Sequence, residues 1–211
     1  HTTISIEQAG ELIRVIDLCD VAPLVRLTSN HPDQIKRIMD AGAQGIVVPM
    51  VNSVEDASRA VAATRYAPQG IRGVGLGRAQ KFGTGFSDYL QWQKDGPVVI
   101  VQIEHIDAVR NIDEIFSIPG IDAFIIGPYD LSGSMGKPGK FDDEEVQKAV
   151  DLVLQAGKKY NIPAGFHSVS SDPQNALKYK NKGFKFLGFS LDSIFLGDMV
   201  IEAMDVLRKT S

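Results

Sequence analysis

Short runs of β-branched and aliphatic residues alternate with stretches of helical spacing along the whole chain, and this alternation constrains the fold more than any other feature. It is the pattern of βα units, in which each helix is the crossover between two parallel strands. Seven runs read as strands, at residues 23–27, 45–49, a short one at 72–75, 98–104, 121–127, 163–167 and 184–189. Each is nearly continuous in Val, Ile, Leu, Phe or Ala, as expected of strands buried on both faces. A doubly wound sheet and a closed barrel both satisfy that pattern.

Helix boundaries fall between the runs. Asn30-His31-Pro32-Asp33 precedes an amphipathic stretch that stops at Gly42, and further starts fall near Ser53, Asp107, Asp142 and Ser171-Asp172-Pro173. The first segment, 4–18, places Ile4, Ile6, Ala9, Leu12, Ile13 and Ile16 at helical spacing, so the chain opens on a helix. A helix before the first strand implies a preceding strand, and seven plus one is eight. The expected fold is therefore α/β, a (β/α)8 barrel lacking its N-terminal first strand, with residues 1–211 as a single domain; a typical barrel of roughly 250 residues agrees with that reading.

Composition narrows the function classes. Twenty-two Lys+Arg against 26 Asp+Glu give a net charge of −4, with the basic residues scattered, which argues against a nucleic-acid groove or a polybasic membrane patch. The longest apolar runs are far below the roughly 18 residues of a spanning helix. A single Cys19, no Asn-x-Ser/Thr acceptor and no leader pattern point to a reducing cytoplasm, and Cys19, in a mainly apolar run, is expected to be buried.

In parallel α/β folds the ligand site lies beyond the carboxyl ends of the strands. The residues found there are Arg26, Pro49-Met50, Arg72, Gln102, Glu104, Gly127-Pro128-Tyr129-Asp130, His167-Ser168 and Asp192. Gln102 and Glu104 share a side-chain direction on one strand, and Asp130 follows the next strand, about 4.8 Å away. Two converging carboxylates with open positions suit Mg2+ or Mn2+. The competing reading is that both are ion-paired to Arg72 or Arg26 and cap helices. A glycosidase-type acid/base pair is a further formal option without an aromatic sugar platform. Arg72 lies in Gly70-Ile-Arg-Gly-Val-Gly-Leu-Gly, a run that matches neither a dinucleotide fingerprint nor a P-loop; its alternative is a structural ion pair. His31 reads as a surface cap, His105 faces away from Glu104, and His167 either lines the pocket or is structural. Residues 78–86, with Lys81 and flexible glycines, form either part of the pocket wall or a solvated loop.

Several stretches are specific enough to name a resemblance. Gly42-Ala-Gln-Gly-Ile-Val-Val-Pro-Met-Val-Asn, Arg65-Tyr-Ala-Pro-Gln-Gly-Ile-Arg-Gly-Val-Gly, Val101-Gln-Ile-Glu, Ile126-Gly-Pro-Tyr-Asp-Leu-Ser-Gly-Ser-Met-Gly and Gly188-Phe-Ser-Leu-Asp192 resemble the metal-dependent class II pyruvate aldolases of the HpcH/HpaI family. The resemblance implies a (β/α)8 barrel with Glu104 and Asp130 as ligands of Mg2+, Mn2+ or Co2+. It further implies Arg72 as the catalytic arginine and Gln102 in the pocket, with backbone groups of Gly127, Pro128 and Tyr129 on the pyruvyl carboxylate. His1 matches the acid/base histidine that ends the family's first strand. The implied reaction is cleavage of a 4-hydroxy-2-oxo acid to a 2-oxo acid and an aldehyde by an aldehyde-lyase; a CoA-ester lyase of the citrate lyase β type and a non-catalytic barrel that binds metal and a 2-oxo acid are the alternatives. A homo-oligomer, a hexamer built as a trimer of dimers through the C-terminal helix, is the implied assembly.

Overall fold

The computed structural model describes residues 3–209, in two compact units that divide at Ile162 and Pro163. The first unit contains α1 (Ile6–Leu18), β1 (Leu24–Arg26), α2 (Pro32–Asp40), β2 (Gly45–Val48), α3 (Val54–Thr64), a 3-10 turn (Lys81–Gly83), α4 (Phe86–Trp92), β3 (Val98–Ile103), α5 (Ile106–Arg110), α6 (Ile112–Phe116), β4 (Ala123–Ile126), α7 (Pro128–Ser134) and α8 (Glu144–Lys159). The second contains β5 (Ala164–Ser168), α9 (Pro173–Asn181), β6 (Phe186–Phe189) and α10 (Asp192–Lys209).

In the first unit, β1, β2, β3 and β4 pair in parallel in chain order. Ile46, Val48, Val99, Val101, Ile103 and Phe124 are fully buried, so both faces of the sheet are covered, which is why these strands read as unbroken apolar runs. Gly45 is required at the sheet's start, because a Cβ there would lie 2.6 Å from Leu24 Cδ2 and 2.7 Å from Val98 Cβ on the flanking strands. The helix starts follow local chemistry. Ser5 and Gln8 form a capping box on α1, the Ser53 hydroxyl accepts from the Asp56 N–H on α3, and His31 Nδ1 accepts from the Asp33 N–H on α2, the surface cap read from sequence. In the second unit β5 and β6 pair in parallel from Gly165↔Phe186 to Ser168↔Phe189, and Asp172 caps α9.

Three expectations are corrected. Among the described residues there are six strands, four in the first unit and two in the second, rather than a full set of barrel strands. The run at 72–75 is not a strand: a lone parallel bridge joins Tyr66 to Arg72. Glycines at 70, 73, 75 and 77 weaken any ladder there, and Ile71 and Val74 stay 65% and 59% exposed, so no apolar face exists to bury. Cys19 is exposed rather than buried, because it caps the end of α1 just before the chain turns through Asp20 at φ 56°. No helix among the described residues is long and apolar enough to cross a membrane.

Candidate active site

The site is built at the carboxyl end of β3. Ile103 pairs with Ile126 and the Gly127 N–H donates to the Ile103 carbonyl at 3.0 Å, so Glu104 comes to lie beside Gly127. A Cβ on Gly127 would fall 2.8 Å from Glu104 Cβ, 2.9 Å from Gln102 Nε2 and 3.1 Å from Glu104 Oε2. The missing side chain is thus what lets the two polar side chains occupy the end of the strand. Gly127→Ala is expected to overpack this point, lowering stability by about 1–3 kcal/mol and displacing Glu104. A chemical-unfolding midpoint equal to that of the wild type would contradict the close approach.

Glu104 is 3% exposed, yet its carboxylate is fully engaged. Oε1 accepts from the Met50 N–H at 2.8 Å, Oε2 accepts from Gln102 Nε2, and Arg26 Nη2 lies 3.8 Å from Oε2. Arg26 Nε in turn donates to Gln102 Oε1 at 2.6 Å, and Nη1 donates to the Leu27 carbonyl. Three strands therefore contribute to one chain of contacts: Arg26 ends β1, Met50 follows β2, and Gln102 and Glu104 belong to the end of β3. Met50 holds φ at 51°, a left-handed conformation uncommon for a long side chain. Burial pushes the Glu104 carboxyl above the usual carboxylate range against the pull of the Met50 N–H and Arg26, and the charge of Asp130 adds to the rise. Burial also draws Arg26 below its ordinary value, while Glu104 and Asp130 oppose that shift.

Asp130 sits in the first turn of α7, behind Gly127 as N-cap and Pro128 at the first helical position, and is exposed. Its charge acts on both Glu104 and Arg26. Tyr129 is exposed next to it, with its ring edge-on to Phe141 at 6.5 Å. Two carboxylates thus share one arginine, and their mutual repulsion is left partly uncompensated. An all-oxygen pair of this kind fits a hard divalent cation, which takes its remaining ligands from water or substrate oxygens. Among the described residues no group of three or more His, Cys, Asp or Glu side chains gathers anywhere, so the donors this chain offers at the site are the pair alone.

Arg72 is not part of this constellation. Its side chain is 0% exposed; Nη2 donates to Asp40 Oδ1 at 2.5 Å, Nη1 to the Tyr89 hydroxyl at 2.8 Å, and the guanidinium lies over the Tyr66 and Tyr89 rings. Burial works against its charge, but Tyr89 and Asp40 outweigh that effect and its pKa is raised. The structural ion pair, not the catalytic role, describes Arg72. The reason is topological: without a strand at 72–75, the residue has no place at a strand mouth. His1 lies outside the described residues. His105 caps α5, accepting from the Asp107 N–H, and exposed His167 meets the Ser190 carbonyl at 3.2 Å. Met50 is the residue that side-chain reasoning misses, because it acts through its backbone N–H. Arg26 carries a sequence signal, its position at the end of an apolar run.

Comparison with known proteins agrees with this architecture. The sequence pattern of the HpcH/HpaI aldolase/citrate lyase family matches residues 4–196. The chain belongs to this family. Membership makes it an enzyme of the aldehyde-lyase type. A 4-hydroxy-2-oxo-heptane-1,7-dioate aldolase from Shigella sonnei is 37% identical over 202 residues, 93% of this chain and 74% of that protein. The protein of that name from Klebsiella pneumoniae is 39% identical over 82% of this chain and 65% of its own length, so the chain spans about two thirds to three quarters of these relatives. Among solved structures, a HpcH/HpaI aldolase/citrate lyase family protein from Burkholderia cenocepacia superposes with a TM-score of 0.90 at 31% identity, covering 99% of this chain and 82% of that one. The HpcH/HpaI aldolase from Desulfitobacterium hafniense gives 0.87 at 27%, covering 99% and 80%.

Proposed function

We propose that the chain is the catalytic part of a metal-dependent aldolase that reversibly cleaves a 4-hydroxy-2-oxo acid to pyruvate, or a similar 2-oxo acid, and an aldehyde. The observation that carries this reading is the contact chain Arg26–Gln102–Glu104 at the end of β3, with Asp130 facing it from α7. In the reaction a base takes the proton of the 4-hydroxyl, the C3–C4 bond breaks, the C4 fragment leaves as the aldehyde, and the electron pair moves through C3 onto the 2-oxo oxygen. A proton returned to C3 completes the 2-oxo acid.

Glu104 and Asp130 are the residues that would hold a divalent cation such as Mg2+, Mn2+ or Co2+. Bound there, such a cation supplies Lewis-acid stabilisation of negative charge on the substrate's oxygens. Arg26 adds a fixed positive charge, and Gln102 holds Arg26 and Glu104 in mutual register by donating to one and accepting from the other. Gly127, Pro128 and Tyr129 bring the first turn of α7 against the site; the leading N–H groups of a helix have no partner within it and are available to a substrate carboxylate. His1 is the proposed base, by resemblance alone. The role of second cation falls to Arg26 rather than Arg72.

The test is pyruvate release from a hydroxy-oxo acid with added Mg2+, Mn2+ or Co2+ and with excess chelator. Activity that survives chelation overturns the metal reading, and preference for a CoA ester over the free acid moves the chain to a citrate lyase type of reaction. Arg26→Met is expected to lower kcat/KM by about 10²- to 10³-fold, since it removes one charge stabiliser, without loss of the fold. Exposed apolar side chains on α10, among them Leu196, Met199, Val200 and Ile201, support self-association into the family's hexamer, which sedimentation of the purified protein would read.

A further inference from the structure

A cavity of about 510 Å3 lies away from Glu104, at the amino-terminal side of the first unit's sheet. Gly42, Ala43 and Gln44, which lead into β2, form one wall, and Trp92, which ends α4 ahead of β3, forms another. The six residues of β3 separate this end of the sheet from Glu104 by roughly 20 Å, at about 3.3 Å per residue. Its size is that of a small-molecule pocket.

The lining has two chemical parts. Tyr89 and Trp92, with ring centroids 5.2 Å apart, and Phe82 supply aromatic surface. Asp17, Arg78 and Lys81 supply charge. Arg78 Nη2 donates to Asp17 Oδ2 at 2.5 Å, which neutralises the one carboxylate in the lining. Gly42, at φ 107°, admits that guanidinium: a Cβ there would meet Arg78 Nη1 at 2.5 Å. Lys81 has no ion-pair partner among the described residues, so one positive charge is left over. The backbone at the rim is itself unusual. Lys81 and Phe82 are consecutive non-glycine residues in left-handed conformation, at φ 49° and 53°, and Phe82 lines the cavity while 76% exposed. Such conformations persist where the surrounding structure holds them, often beside ligands.

We propose that this cavity is a second binding site, distinct from the lyase centre, for a small monocarboxylate that carries a planar ring. The carboxylate sits on Lys81 and the outer face of Arg78, and the ring packs among Phe82, Tyr89 and Trp92, where offset or edge-on aromatic contacts are favourable. The bound anion cancels the surplus charge of the lining.

Trp92 is the chain's single tryptophan, so its emission reports on this cavity directly. Benzoate, titrated into the whole protein, is expected to change Trp92 fluorescence saturably at millimolar concentration, with benzamide at least about tenfold weaker because it lacks the charge. Lys81→Gln and Phe82→Ala, both at exposed positions, should each weaken benzoate about tenfold. The response should persist in Glu104→Gln protein, whatever becomes of its lyase activity. The proposal is overturned if benzoate gives no saturable change, if benzamide matches it, if Lys81→Gln binds it as the wild type does, or if Glu104→Gln abolishes the response.

Discussion

Glu104→Gln is expected to lower metal-dependent pyruvate release by at least about 10²- to 10³-fold while leaving the fold intact. The amide keeps an oxygen for the Met50 N–H and nearly the same volume, so the substitution removes charge and little else. Thermal stability should hold or rise slightly, since an ionised side chain that is only 3% exposed is costly and its removal relieves the repulsion from Asp130. Asp130→Asn should act in the same direction on activity; being exposed, it should leave stability unchanged within about 0.5 kcal/mol. Progress curves with saturating metal, set beside chemical-unfolding curves of the same preparations, separate the two effects. Wild-type turnover in both variants would remove the carboxylate pair from the chemistry.

Asp40→Ala carries the largest expected effect on stability. Arg72 would then be a fully enclosed guanidinium without its carboxylate, a situation that costs about 3–5 kcal/mol. Asp40 also receives bonds from Lys36 and Gln80, and its carbonyl accepts from the Ala79 N–H, so the loss would loosen the whole 70–80 segment from the end of α2. Urea unfolding should show a lower midpoint with a similar slope. Arg26→Met, by contrast, should change the midpoint little and the rate greatly, because Arg26 is half-buried at the site and 3.8 Å from its carboxylate. If Asp40→Ala unfolded like the wild type and lost activity instead, Arg72 would regain the catalytic role that its surroundings deny it.

These two arginines show how far the sequence reaches. Both follow or sit within apolar stretches, and both were candidates to face Glu104. A run with glycines at every second or third position imitates a short strand in composition, but it cannot bury a face, and Ile71 and Val74 end in solvent. Arg72 therefore turns to Asp40, 32 residues earlier in the chain, whereas Arg26 reaches Gln102, 76 residues later. Met50 shows the same limit from another side. Its contribution is a backbone N–H held by a left-handed φ, and no side-chain pattern announces that.

From the sequence alone follow the βα rhythm, six of the seven strand positions, the capped helix starts at Ser53 and Asp172, and the placement of Gln102, Glu104 and Gly127 at strand ends. All of these depend on neighbours a few residues apart, where period and capping chemistry act. Tertiary structure decided which cation meets Glu104, that Gly127 must lack a side chain, and that a charged aromatic cavity opens at the other end of the sheet. Those depend on the register between strands and on which side chains compete for the same buried space, and both are settled only when distant segments pack together.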